Sequence, residues 1–147
     1  LKTVEWPGRF QLVDGRVVLD GAHNPAAAAR LVVTWREVFG RERATLVLGI
    51  LADKDLRGIC AALAPIAARV IATPVQNPRT SAPAEVAAMF QELAPGLPCS
   101  VALDLATALR EARAHADRVL VCGSLFLVGE ALVHLGAASA SPEWSAQ

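Results

Sequence analysis

Residues 17–27 read Val17-Val18-Leu19-Asp20-Gly21-Ala22-His23-Asn24-Pro25-Ala26-Ala27. Three aliphatic residues of the kind that fill a buried strand stop at Asp20, and an alanine-rich stretch begins at Pro25. Between them stand an acid, an imidazole and an amide within five positions. Asn24 is a good N-cap, and Pro25 follows at the first helical position, where its missing N–H costs nothing. The stretch therefore reads as strand, polar turn, helix.

That theme repeats along the chain. Apolar runs of strand length occur at 17–20, 45–50, 69–72, 99–103 and 118–122. Helical stretches follow at 25–39, 55–64, 83–93, 105–115 and 125–135. Most of the strands are apolar on both faces, as a parallel sheet requires when helices cover both sides. Alternating strand and helix implies right-handed crossovers and a doubly wound α/β sheet. Upstream, Arg9-Phe10-Gln11-Leu12-Val13 and Asp14-Gly15 precede the 17–20 strand. Asp-Gly tolerates positive φ, so a tight hairpin should add one antiparallel strand at the side of the sheet. Ser81, Asp104 and Ser124 are placed to cap the later helices. The stretch from Ala137 to the end lacks periodicity and is expected to be a flexible tail, leaving 1–136 as one domain.

Composition narrows the function classes. The 147 residues are 54% hydrophobic, enough for one domain with a sizeable core. Lys plus Arg equals Asp plus Glu at 14 each, which argues against a nucleic-acid surface. No apolar run is long enough to span a bilayer. Cys60, Cys99 and Cys122 have no metal-ligand spacing, and their apolar contexts point to buried thiols in a reducing cytoplasm. The chain begins at Leu1 and has Met89 as its only methionine, so it reads as a piece of something longer.

In a doubly wound sheet, ligands bind outside the carboxyl ends of the parallel strands. The polar breaks that should meet there are residues 20–24, 52–55, 73–81 and 123–124. Singly, each candidate has a structural reading. Asp20 ties down a loop, Asn24 and Ser124 cap helices, Asp53-Lys54-Asp55 makes a solvated turn, and His23 is a surface histidine. Brought together on one rim they favour a polar, anion-tolerant site, with helix N-termini offering unpaired N–H groups. The Walker phosphate loop, the G-x-G-x-x-G fingerprint and the G-x-S-x-G elbow are all absent. His115 and His134 have no ligand-spaced partners, and no metal site is expected.

The order of Trp6-Pro7-Gly8-Arg9, Leu19-Asp20-Gly21-Ala22-His23-Asn24-Pro25, Gly49-Ile50-Leu51-Ala52-Asp53-Lys54-Asp55 and Gly123-Ser124-Leu125-Phe126-Leu127-Val128-Gly129-Glu130 resembles the folylpolyglutamate synthases, including bifunctional dihydrofolate synthases, of the Mur ligase superfamily. The likeness is to their carboxy-terminal domain. It implies a Rossmann-like sheet of six strands, five parallel and one antiparallel. It also implies ATP-dependent amide formation, in which a folate or dihydropteroate carboxylate becomes an acyl phosphate that L-glutamate then attacks. MgATP would be a co-substrate, with the P-loop and the magnesium ligands in an amino-terminal domain outside this chain. Arg9 would meet the ATP phosphates, Asp20 the nucleotide ribose, His23 nucleotide and glutamate, and Ser124 glutamate. His23 and Arg9 are the catalytic candidates. Asn24, Asp53 and Lys54 are possible rim contacts. On this reading the chain alone is inactive. A peptidoglycan-type Mur ligase and a stand-alone, non-catalytic binding module are the rival readings.

Overall fold

The computed structural model describes residues 8–115 and 118–136. Trp6, Pro7 and the expected tail from residue 137 lie outside the described residues. The hairpin forms as Asp14-Gly15 demands. Strands β1 (Gln11–Val13) and β2 (Val17–Asp20) pair antiparallel, Asp14 and Gly15 adopt φ of 56° and 70°, and Arg16 N–H donates to Val13 C=O at 3.2 Å. Positive φ at both central residues matches the right-handed strand twist.

From β2 the chain alternates as its pattern requires: α1 (Pro25–Phe39), β3 (Ala44–Leu48), α2 (Leu56–Leu63), β4 (Ala67–Ala72), α3 (Pro83–Leu93), β5 (Cys99–Val101), α4 (Leu105–His115), β6 (Val119–Cys122) and α5 (Leu125–His134). A 3₁₀ turn at Ala64–Ile66 links α2 to β4. The six-stranded sheet has the order β1-β2-β6-β3-β4-β5, with every pair parallel except β1–β2. β6 thus returns across the sheet and inserts between β2 and β3. That reversal is the switch point at which a doubly wound sheet leaves a crevice.

Alternation along each strand feeds two cores. Val18, Leu46, Leu48, Val70 and Leu120 pack with α1, α2 and α3 on one face. Val17, Leu19, Val47, Ile71 and Val121 pack with α4 and α5 on the other. Trp35, fully buried from α1, anchors the first core; its indole N–H donates to Glu42 C=O at 2.7 Å, and its ring centroid lies 4.5 Å from that of Phe39, the planes tilted by 55°. Truncating a buried side chain of this size costs about 3–5 kcal/mol.

The 45–50 and 99–103 strands are shorter than expected at their carboxyl ends, because Gly49-Ile50 and Ala102-Leu103 turn away into the rim loops. Asn24, Asp104 and Ser124 cap as expected. Ser81 does not. Ala82 occupies the N-cap of α3 without a side-chain bond, because Ser81 N–H donates to Ile50 C=O at 2.8 Å and ties that residue to the neighbouring loop. Cys60 and Cys122 are buried free thiols, whereas Cys99 is only half-buried because edge strand β5 has a single neighbour. Among the described residues no helix is long and apolar enough to cross a membrane.

Thr73, just past β4, is 1% exposed, and its hydroxyl is the buried side-chain polar atom without a hydrogen-bond partner among the described residues. Replacing both shape and polarity would leave a cavity; replacing polarity alone removes an unsatisfied group. Thr73→Val is therefore expected to hold or raise the melting temperature. A drop of more than about 2 °C, the scale of a modest loss in a domain this size, would show that the hydroxyl has a partner.

Candidate functional site

The loop after β2 is locked before it reaches the rim. Asp20 accepts from Ala22 N–H at 2.9 Å through one oxygen and from Phe10 N–H at 3.0 Å through the other. Gly21 N–H reaches Gly8 C=O at 2.7 Å, so the 8–10 segment lies across the β2 loop. Burial raises the Asp20 carboxyl above its ordinary 3.8, against the pull of those two N–H donors and of Arg9. Arg9 itself is exposed, with its charge felt at Asp20.

Two residues on, His23 Nδ1 lies 2.9 Å from Gly21 C=O. A carbonyl only accepts, so Nδ1 carries the hydrogen. In the neutral ring Nε2 is then a bare base. Asn24 turns its oxygen to Ala27 N–H at 2.8 Å and is used as a cap.

Close backbone contacts join the loop that carries His23 to the loops after β6 and β3. Gly123 N–H donates to Ala22 C=O at 3.1 Å, joining the β6 loop to the β2 loop. Gly123 has φ of 107°, and a Cβ there would stand 2.5 Å from Gly49 C=O. Ser124, 2% exposed, accepts from Phe126 N–H at 3.1 Å and Leu127 N–H at 3.5 Å, opening α5 at the rim.

His23, Lys54, Arg79 and Ser124 line one recess of about 130 Å³, with Leu51, Leu125 and Phe126 as its apolar wall. Lys54, Arg79 with its Asp53 partner, a histidine and a helix start bias this concavity toward anions. It is smaller than the roughly 300–1,000 Å³ of a pocket that encloses a drug-sized ligand, so it suits one carboxylate or phosphate with its immediate surroundings.

Of the residues expected at the site, His23, Lys54 and Ser124 come together in the recess. Asp20, Arg9 and Asn24 sit on the same rim beside it, engaged or exposed as described. Asp53 accepts from Arg79 Nη1 at 3.0 Å and is not among the residues that line the recess. Arg79 was not singled out by the sequence. Its only signal is a cation within the polar break after β4, and a lone loop arginine carries little weight. Among the described residues no group of three His, Cys, Asp or Glu could hold a metal. The cysteines offer no nucleophile either: burial pushes the Cys60 thiol up to about 12, and burial, then Asp20, push Cys122 well above its ordinary value.

The raised Asp20 fixes a sign for pH dependence. Its folded state holds the proton more tightly than the unfolded chain, so its stabilising share is present below about the ordinary carboxylate value and is lost as pH rises through the raised one. Asp20→Asn lacks this titration. Relative to that variant, the wild-type melting temperature is expected to fall as pH rises from the ordinary carboxylate value, 3.8, toward neutrality. Parallel thermal melts across that window check it, and a relative gain would contradict the burial argument.

Comparison with known proteins agrees with the fold. Residues 8–125 match the family described as "Mur ligase, glutamate ligase domain". A probable bifunctional folylpolyglutamate synthase/dihydropteroate synthase from Halobacterium salinarum is 40% identical over 136 residues, covering 89% of this chain and 16% of the relative. The fold superposes on Mycobacterium tuberculosis folylpolyglutamate synthase complexed with ADP with a TM-score of 0.82 at 30% identity, covering 90% of this chain and 33% of that one. A bifunctional folylpolyglutamate synthase/dihydrofolate synthase with Mn, AMPPNP and L-glutamate bound gives 0.75 at 30% identity, covering 90% and 32%. The chain thus spans a third or less of these relatives. It belongs to the Mur ligase family, as a glutamate ligase domain of the folylpolyglutamate synthase type.

Proposed function

We propose that this chain works within a longer, cytoplasmic ATP-dependent amide ligase that adds L-glutamate to a folate or dihydropteroate carboxylate through an acyl phosphate. The observation that carries the reading is the recess in which His23, Lys54, Arg79 and Ser124 converge at the carboxyl rim of a glutamate ligase domain. Activating a carboxylate with ATP and delivering an amine to it requires two anionic substrates to be held side by side away from water. Lys54 and Arg79 supply the positive charge for glutamate carboxylates. Arg9, exposed at the edge, is directed at the ATP phosphates, for which its planar fork is suited. Asp20 has lone pairs beyond the two N–H bonds it accepts and turns them to the ribose hydroxyls.

His23 has the most specific role. With Nδ1 committed to Gly21 C=O, Nε2 is left to accept a proton from the glutamate ammonium, freeing the amine to attack the acyl phosphate. Ser124 keeps its cap and adds its hydroxyl to the glutamate side. Asn24 and Asp53 support the rim. The magnesium that accompanies ATP is assigned to ligands in the amino-terminal part of the longer polypeptide, together with the phosphate-binding loop, so the chain is inactive by itself. The folded unit is assigned to residues 1–136.

The test is turnover of the intact ligase with ATP, glutamate and either a folate or a UDP-muramoyl acceptor. His23→Ala is expected to lower kcat/KM with the folate acceptor by about 10²–10⁴-fold, the usual range for removing a positioned base, with the melting temperature nearly unchanged. Undiminished turnover would remove His23 from the chemistry. Turnover with the muramoyl acceptor alone would replace folate by peptidoglycan precursors as the substrate class. Turnover by this chain alone, with no other protein present, would refute its dependence on the longer polypeptide.

A further inference from the structure

Residues 73–81 carry Arg79 without any regular structure of their own, yet they are tied down on two sides. Toward β3, Ala52 N–H donates to Arg79 C=O at 2.6 Å and Ser81 N–H to Ile50 C=O. Toward α5, Gln76 N–H donates to Glu130 Oε2 at 2.9 Å, across 54 positions of sequence. Within the loop, Val75 N–H reaches Thr80 Oγ1 and Arg79 N–H reaches Asn77 Oδ1, each at 2.9 Å. Glu130 closes the motif that starts at Gly123-Ser124, so one helix supplies both the Ser124 wall of the recess and the anchor for the loop opposite.

We propose that Glu130 is a positioning residue: by holding the Gln76 N–H, it sets the distance between the Arg79 loop and the α5 wall of the recess. Gln76 is exposed, so water would satisfy its N–H if Glu130 were absent. Losing the bond would leave no buried unpaired group. What the bond adds is a charge-assisted, geometrically specific link between two walls that otherwise have separate attachments to the sheet. Asp53 takes a single Nη1 hydrogen of Arg79, which leaves the rest of its five donors for a ligand. A spacing set in this way selects for the bound amino acid rather than for the nucleotide. The inference rests on the assignment of Arg79 to glutamate made above.

Steady-state kinetics of the intact ligase with Glu130→Ala, Glu130→Gln and Arg79→Ala test it. Glu130→Ala is expected to raise the KM for glutamate about 5–20-fold while kcat and the KM for ATP stay within about twofold, the pattern of lost uniform binding. Glu130→Gln keeps a carbonyl acceptor and should recover most of that loss. Three outcomes overturn the proposal: an unchanged glutamate KM in Glu130→Ala, equal losses for all substrates together with a lowered melting temperature, or no recovery in Glu130→Gln. Arg79→Ala separates the two levels of argument. If it raises the glutamate KM while Glu130→Ala does not, only the positioning role fails; if it has no effect, the glutamate assignment of the recess fails with it.

Discussion

The site depends on how closely three backbones approach at the carboxyl edge of the sheet. A Cβ at Gly49 would stand 2.9 Å from Thr73 C=O, and one at Gly123 would stand 2.5 Å from Gly49 C=O. Side chains essentially never pack that tightly against a carbonyl, so any other residue would force the loops after β4, β3 and β6 apart. Gly123 also needs its φ of 107°, which glycine adopts without strain. Its N–H then reaches Ala22 C=O and joins the fourth loop. Arg79, Lys54, Ser124 and His23 face one recess because these four loops are stacked nearly in contact.

The sheet order explains why such stacking occurs here and not elsewhere on the rim. β6 is inserted between β2 and β3, so the loops after all three strands leave adjacent positions. α1 then leaves toward one core and α5 toward the other. The divergence opens a space in front of β6, and Gly49 and Gly123 let the loops around it close to backbone contact. Two opposed requirements meet at the same few residues. Burial favours closing the gap, while a ligand needs it open, and small residues with capped helix starts satisfy both. The capping bonds of Asn24 and Ser124 are part of this balance, because they settle the first N–H groups of α1 and α5 without intruding on the space between them.

Most of the fold was legible in the sequence because its signals are local. Pro25, Pro83 and the Asp-Gly pair fix dihedrals whatever surrounds them, and strands apolar on both faces announce helices on both sides. Helices α1, α3 and α4 begin and end where the pattern put them. What escaped is non-local. Ser81 has a capping side chain, but its backbone is claimed by Ile50, a distant partner that no periodicity reveals. The same pairing of the 50–52 and 79–81 segments delivers Arg79 to the recess, which is why that residue stayed hidden among loop polars while His23, framed by a strand end and a helix cap, stood out.

Asp20 shows where motif and mechanism part. At the end of β2, both its oxygens hold backbone N–H groups and burial raises its proton affinity. Its first effect is to fix the path of residues 8–10 over residues 21–22. His23 gains its tautomer from that fixed path, since Gly21 C=O must stay in place to hold Nδ1–H. A carboxylate that defines a loop and a loop carbonyl that defines an imidazole form a chain of dependence that runs from Asp20 through Gly21 to His23. Removing the first member would therefore act on the chemistry through geometry, and its kinetic signature would follow that of His23 even though the two groups lie in different surroundings.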